Sequence, residues 1–179
     1  MISLFRASVA ALVMASALLP ATLERLSLDD MILKSTAIVR ASVQSSYSIP
    51  RGALIYTHYR LQITERWKGP ATSLMDIVVP GGSTGGFRQT FSGAPELQAG
   101  REYILFLWTG KSGLTHVIGL SQGAFNLDIN SKGEPVARRA ATSETMLDSR
   151  GQPVKDHPIE ITLTELAAKV SQLLGGGTK

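Results

Sequence analysis

The run from Ile55 to Trp67, "IYTHYRLQITERW", changes character at almost every step. Ile55, Tyr59, Leu61, Ile63 and Trp67 share one parity, while Tyr56, His58, Arg60, Gln62, Thr64 and Arg66 share the other. Side chains alternate across a strand, so this period of two predicts a long strand with one buried and one solvated face. Lys68-Gly69-Pro70 ends it.

The neighbouring segments read the same way. "TAIVRASV" (36–43) is rich in β-branched residues and predicts a strand. "QSSYSIPRG" (44–52) is polar, holds Pro50 and Gly52, and reads as a loop. Residues 74–79 form a further strand, broken by "PGGSTGG". "REYILFLW" (101–108) is apolar on both parities, which predicts a central strand covered on both sides. Two short strands follow, "LTHVIGL" and "AFNLDIN". A short helix is expected at Ser27–Lys34, with Ser27 as N-cap and acids in its first turn. Residues 131–158 are polar and rich in Gly, Pro and Arg, and read as a surface loop or mobile segment. Residues 159–174 predict a C-terminal helix, with Ile161, Leu163, Leu166, Val170, Leu173 and Leu174 at helical spacing and Thr162 or Thr164 as cap. A flexible tail, 175–179, closes the chain. Short strands at this spacing suggest a mainly β domain over 22–130: a small antiparallel OB-like β-barrel of about five to six strands, with a short N-terminal and a C-terminal helix.

Residues 1–21 carry one arginine, then the apolar run "ASVAALVMASALL", then Pro20 and Ala21. That order is the pattern of a secretory signal peptide, cleaved after Ala21 or after Ala17, and the run is too short to span a membrane as a helix. The expected location is therefore periplasmic or extracellular. No cysteine is present among the 179 residues, so neither disulfides, thiolate metal sites nor a cysteine nucleophile can operate. The net charge of +4 is spread along the chain and lacks the concentration a nucleic-acid binder needs.

Gly119-Leu120-Ser121-Gln122-Gly123 spells G-x-S-x-G, and Asp148 and His157 follow in the order of a hydrolase triad. That chemistry requires a helix directly after the serine, to supply oxyanion-hole N–H groups. Here Phe125, Leu127 and Ile129 alternate with polar residues, which is strand patterning, so the glycines read as bend positions. The four glycines at Gly81, Gly82, Gly85 and Gly86 surround Ser83-Thr84 but lack the lysine and helix of a P-loop. His58, His116 and His157 are far apart and show no metal-ligand spacing. Neither catalytic residues, a metal nor a cofactor is expected.

The segments "AIVRA" (37–41), "WKG" (67–69) and "GREYIL" (100–105) resemble, in order and spacing, the netrin-like module and the N-terminal domain of the tissue inhibitors of metalloproteinases. The "VPGG" and "REYILFL" core is also similar to uncharacterised bacterial exported proteins. The resemblance spans about residues 35–127 and implies an OB-like five-stranded barrel with flanking helices. Family inhibitors chelate a protease's zinc through an N-terminal cysteine, which this chain lacks, so no inhibitory site carries over.

These readings point to an exported, non-enzymatic binding or protein-interaction domain. Its expected partner is another protein or an envelope component, with no nucleic acid and no membrane contact beyond the signal peptide. The alternatives are a protease inhibitor-like module acting without the cysteine chelator, and a serine hydrolase using Ser121. The expected binding residues are Tyr56, His58 and Arg60 on the solvated strand face, with Gly81, Gly82, Ser83, Thr84, Gly85 and Gly86 in the adjoining loop. Glycines there leave backbone N–H groups accessible.

Overall fold

The structure is a computed structural model that describes residues 22–175. The proposed signal peptide and all but the first residue of the tail lie outside them. The described chain is mainly β and antiparallel. In order it forms β1 (Thr22–Glu24), α1 (Leu28–Lys34), β2 (Ala37–Arg51), β3 (Leu54–Lys68), β4 (Leu74–Pro80), β5 (Gly82–Thr84), β6 (Phe87–Gln89), β7 (Glu102–Thr109) and β8 (Thr115–Val117). A 3-10 turn (Leu120–Gly123), β9 (Ala124–Ile129), β10 (Pro135–Arg139), β11 (Thr145–Leu147), β12 (Pro153–Val154), β13 (Ile159–Thr162) and α2 (Leu163–Gly175) follow.

The main sheet has eight strands. Seven run in the order β13-β10-β9-β7-β2-β3-β4, and β8 pairs with β7. It is larger than the expected five or six strands, and its ladder does not close into a barrel. β8 nevertheless lies alongside β4, with the His116 ring near the Val78 backbone.

β7 shows why its sequence is apolar on both parities. Tyr103, Leu105 and Leu107 enter one core with Val39, Ala41, Leu61 and Ile77. Ile104 and Phe106 enter a second core with Met31, Phe125, Leu166 and Val170, under the two helices. A strand buried on both faces has no position left for polar residues. Phe106 and Phe125 meet in that second core with ring centroids 5.5 Å apart.

Local sequence sets the helix starts. Ser27 and Asp30 form a reciprocal capping box at α1: Asp30 N donates to Ser27 Oγ at 3.0 Å, and Ser27 N donates to Asp30 Oδ2 at 3.0 Å. The Ser27 hydroxyl, which donates to Asp30 Oδ2 at 2.6 Å, and then the Ser27 N–H hold the Asp30 carboxyl below its usual range. Thr162 and Glu165 repeat the device at α2.

Three expectations need correction. Residues 44–51 are not a loop but the outer half of β2, which pairs with β3 as far as Arg51↔Leu54. Residues 131–158 carry β10, β11 and β12, with Val136, Ala137 and Arg139 buried. Ile159–Thr162, placed in the C-terminal helix, is instead strand β13, which pairs with β10, and the helix begins at Leu163. In each case pairing with a partner strand overrides what the segment's own composition suggests.

Candidate binding surfaces

Six of the nine predicted site residues fall on two opposite faces of the sheet. Gly81, Gly82 and Ser83 line a cleft of about 330 Å³ at the mouth of the first core, together with Thr57, Tyr59, Phe91 and Leu97. Tyr56, His58 and Arg60 point the other way, because Thr57, Tyr59 and Leu61 hold the core parity. Thr84, Gly85 and Gly86 belong to neither surface. They form the turn of the β5–β6 hairpin, where Thr84 pairs with Phe87. Gly85 and Gly86 have φ of 56° and 80°, the left-handed values of a two-residue hairpin turn.

The cleft is built tightly. Gly82 lies so close to Ser48 and Thr57 that a Cβ there would meet their hydroxyls at 2.4 and 2.5 Å. Thr57 Oγ1 donates to Gly81 O at 2.8 Å, and Gln89 Oε1 accepts from Ile55 N at 2.7 Å, so the hairpin is pinned across the β2–β3 turn. The far wall is the Ala94–Gln98 segment. Gln98 N donates to the Tyr103 hydroxyl at 2.9 Å, and Tyr59 and Leu97 face the same cleft. Burial pushes the Tyr59 phenol above its ordinary pKa, an effect the nearby Leu97 backbone opposes.

The outer face is aromatic. Tyr47 stacks on His58 with centroids 5.0 Å apart and planes 10° from parallel. His58 is paired with Val78 across β3 and β4, and Val78 is buried. Beyond Val78, His116 packs beside Trp108 at 6.4 Å. Burial lowers the His116 pKa, and the polar Val78 backbone beside the ring opposes that shift. Tyr47 and Ile49 are 58% and 40% exposed. Arg60 does not reach outward freely: it is held by Asp76 in a bidentate pair at 2.7 and 2.9 Å. Tyr47 and Ile49 were missed by the sequence reading, although Ser46-Tyr47-Ser48-Ile49 carries the polar–apolar alternation of a strand.

The G-x-S-x-G glycines have structural work. Ser121 lies in the 3-10 turn Leu120–Gly123, which runs straight into strand β9 and not into an α-helix. Gly119 sits at φ 60°, and a Cβ there would meet Gln122 and Leu26 at 2.9 Å. Gly123 packs on backbone, with Ile118 O 2.7 Å from an added Cβ. Between them, fully buried Gln122 accepts from Leu26 N at 2.8 Å and donates to Glu24 O at 2.9 Å, which ties the start of the described chain to the sheet. Asp148 spends its carboxylate on a turn, accepting from Arg150 N and Gln152 N. His157 offers its backbone carbonyl to Arg139.

Arg139 is the one buried charged residue among the described residues. Its side chain and that of Asp156 are each 5% exposed and joined at 2.6 and 3.0 Å. Burial opposes ionisation of Asp156, but bonds from Arg139 and Thr142 N outweigh it and hold the carboxyl below its usual range.

No protein-family model and no curated protein matches the chain.

Proposed function

We propose that the chain is an exported, non-enzymatic binding module that engages another protein or an envelope component through the outer face of its β2–β3 arm. One observation carries this reading. Tyr47 and Ile49 stand exposed on a strand anchored by thirteen cross-strand register pairs, beside half-buried Tyr56 and His58. Aromatic side chains on a rigid hairpin supply contact area at low entropic cost, and exposed apolar clusters of this kind mark interaction sites. The N-terminal charged–apolar–small order supports export.

The same reading takes the fold as OB-like. Support comes from the circuit β2, β3, β4, β8, β7 and back to β2. Four of its five junctions are ladders, and the fifth is the approach of β4 to β8. OB-like domains use a strand face and adjoining loops for recognition.

The test is recovery of a partner from the envelope fraction by tagged mature protein, wild type against Tyr47→Ala with Ile49→Ser. Both positions are exposed, so the thermal midpoint should stay unchanged. A partner held by wild type and lost by the variant supports the reading. Equal recovery removes the arm as the binding surface.

A further inference from the structure

β2 is longer than the strand that covers one of its edges. β7 pairs with it only from Ala37 to Ser42, and the last bonds on that side join Val43 N to Arg101 O and Gly100 N to Val43 O. β3 covers the opposite edge to Arg51. From Ser45 to Arg51 the outer edge therefore has no ladder partner among the described residues; β5 packs against β2 at Ser48 but pairs only with β6.

The ladder decides which groups this edge presents. Gly81 N donates to Ile55 O, so Ile55 turns its backbone toward β4 and the opposing Pro50 turns its own away from β3. Antiparallel pairs alternate between bonded and non-bonded, so Ser48 and Ser46 likewise direct N–H and C=O outward. Pro50 has no N–H and limits the edge there. No charged residue lies between Val43 and Pro50, although charges are a usual defence of an exposed edge.

Charge does mark both ends. Arg101 sits where β7 stops and Arg51 sits beyond Pro50; both are exposed, and neither joins an ion pair among the described residues. A second copy pairing antiparallel through this edge would bring Arg51 of one chain toward the Arg101 end of the other. Like charges there disfavour self-association.

Resting on the binding reading above, we propose that this edge receives an extended segment of a partner protein as an added strand. The segment continues the antiparallel ladder that β7 begins, and acidic residues flank it. About seven residues at roughly 3.3 Å each place its acids some 20 Å apart, facing Arg51 and Arg101. Its side chains alternate, apolar beside Tyr47 and Ile49 and small or polar beside Ser46 and Ser48.

The probe is a blocked peptide, Asp-Asp-Thr-Val-Thr-Val-Thr-Asp-Asp, followed by amide hydrogen exchange. A control carries lysine in place of each aspartate. The expected result is slowed exchange at Ser46 and Ser48, with the lysine peptide about tenfold weaker. Arg51→Glu with Arg101→Glu should reverse that preference. Ser46→Pro removes an outward N–H without a β3 bond and should abolish binding while leaving the thermal midpoint nearly unchanged. Equal binding of both peptides, protection at Gly81–Ser83 instead, or binding that survives Ser46→Pro would each overturn the strand-addition inference and leave the binding reading standing. Protection at Ser46 and Ser48 that rises with protein concentration alone would assign the edge to a second copy and overturn it too. Absence of protection with any peptide overturns the inference, and partner recovery by the Tyr47 and Ile49 variant then judges the binding reading separately.

Discussion

Replacing Asp156 with Ala should cost the fold about 3–5 kcal/mol, because it strands the Arg139 guanidinium without a counter-charge. Both side chains are 5% exposed, so water cannot replace the lost carboxylate. Arg139 would keep its bonds to Ala140 O and His157 O, and Thr142 N would lose its acceptor. At roughly 2–4 °C per kcal/mol for a domain of this size, the thermal midpoint should fall by about 6–20 °C. The double variant Arg139→Met with Asp156→Leu should recover most of that loss, since an apolar pair removes both desolvation penalties. The assay is a double-mutant cycle by urea and thermal unfolding. The sign with pH follows from the depressed folded pKa of Asp156. The stabilisation is present above the unfolded carboxylate value, about 3.9, and is lost as pH falls through the lower folded value. A loss under about 1 kcal/mol for Asp156→Ala, or a double variant as damaged as the single one, would refute the reasoning.

Gln122→Ala should destabilise by about 2–3 kcal/mol, since it orphans Leu26 N and Glu24 O, and should raise hydrogen exchange at Leu26 first. His116 has a lowered folded pKa, so its burial should stabilise the fold above about pH 6.5 and less as pH falls below that. His116→Gln should flatten that slope in pH-dependent unfolding. Ser121→Ala should match wild type against short acyl esters, because strand β9 rather than a helix follows the serine; serine-dependent turnover would contradict it.

The sequence revealed elements wherever a single segment carried its own pattern. Ile55–Trp67 alternates and is β3, Ser27 and Asp30 announce α1, and the apolar run ending in Trp108 is the twice-covered β7. It failed where an element depends on a partner that its own segment does not reveal. Ser46 and Ser48 read as loop residues because their strand character depends on Tyr59 and Thr57 across the hairpin. Arg139 reads as a solvated charge, and only Asp156, brought in by the fold, makes its burial possible. The same limit split the expected site. Parity correctly set Tyr56 and His58 away from the core, but nothing local showed that Gly81–Ser83 would line the opposite side. The size of the sheet was underestimated because β10 and β13 extend it through segments read as loop and helix.

Photo-crosslinking from the arm tests the central claim most directly. A benzoyl-phenylalanine placed at Tyr47, in the cell that makes the protein, should trap one discrete partner. The same probe at Ile129, which is 65% exposed on another part of the sheet, should not. Discrete adducts from Ile129 or from Ser83 in the cleft, with none from Tyr47, would contradict the account.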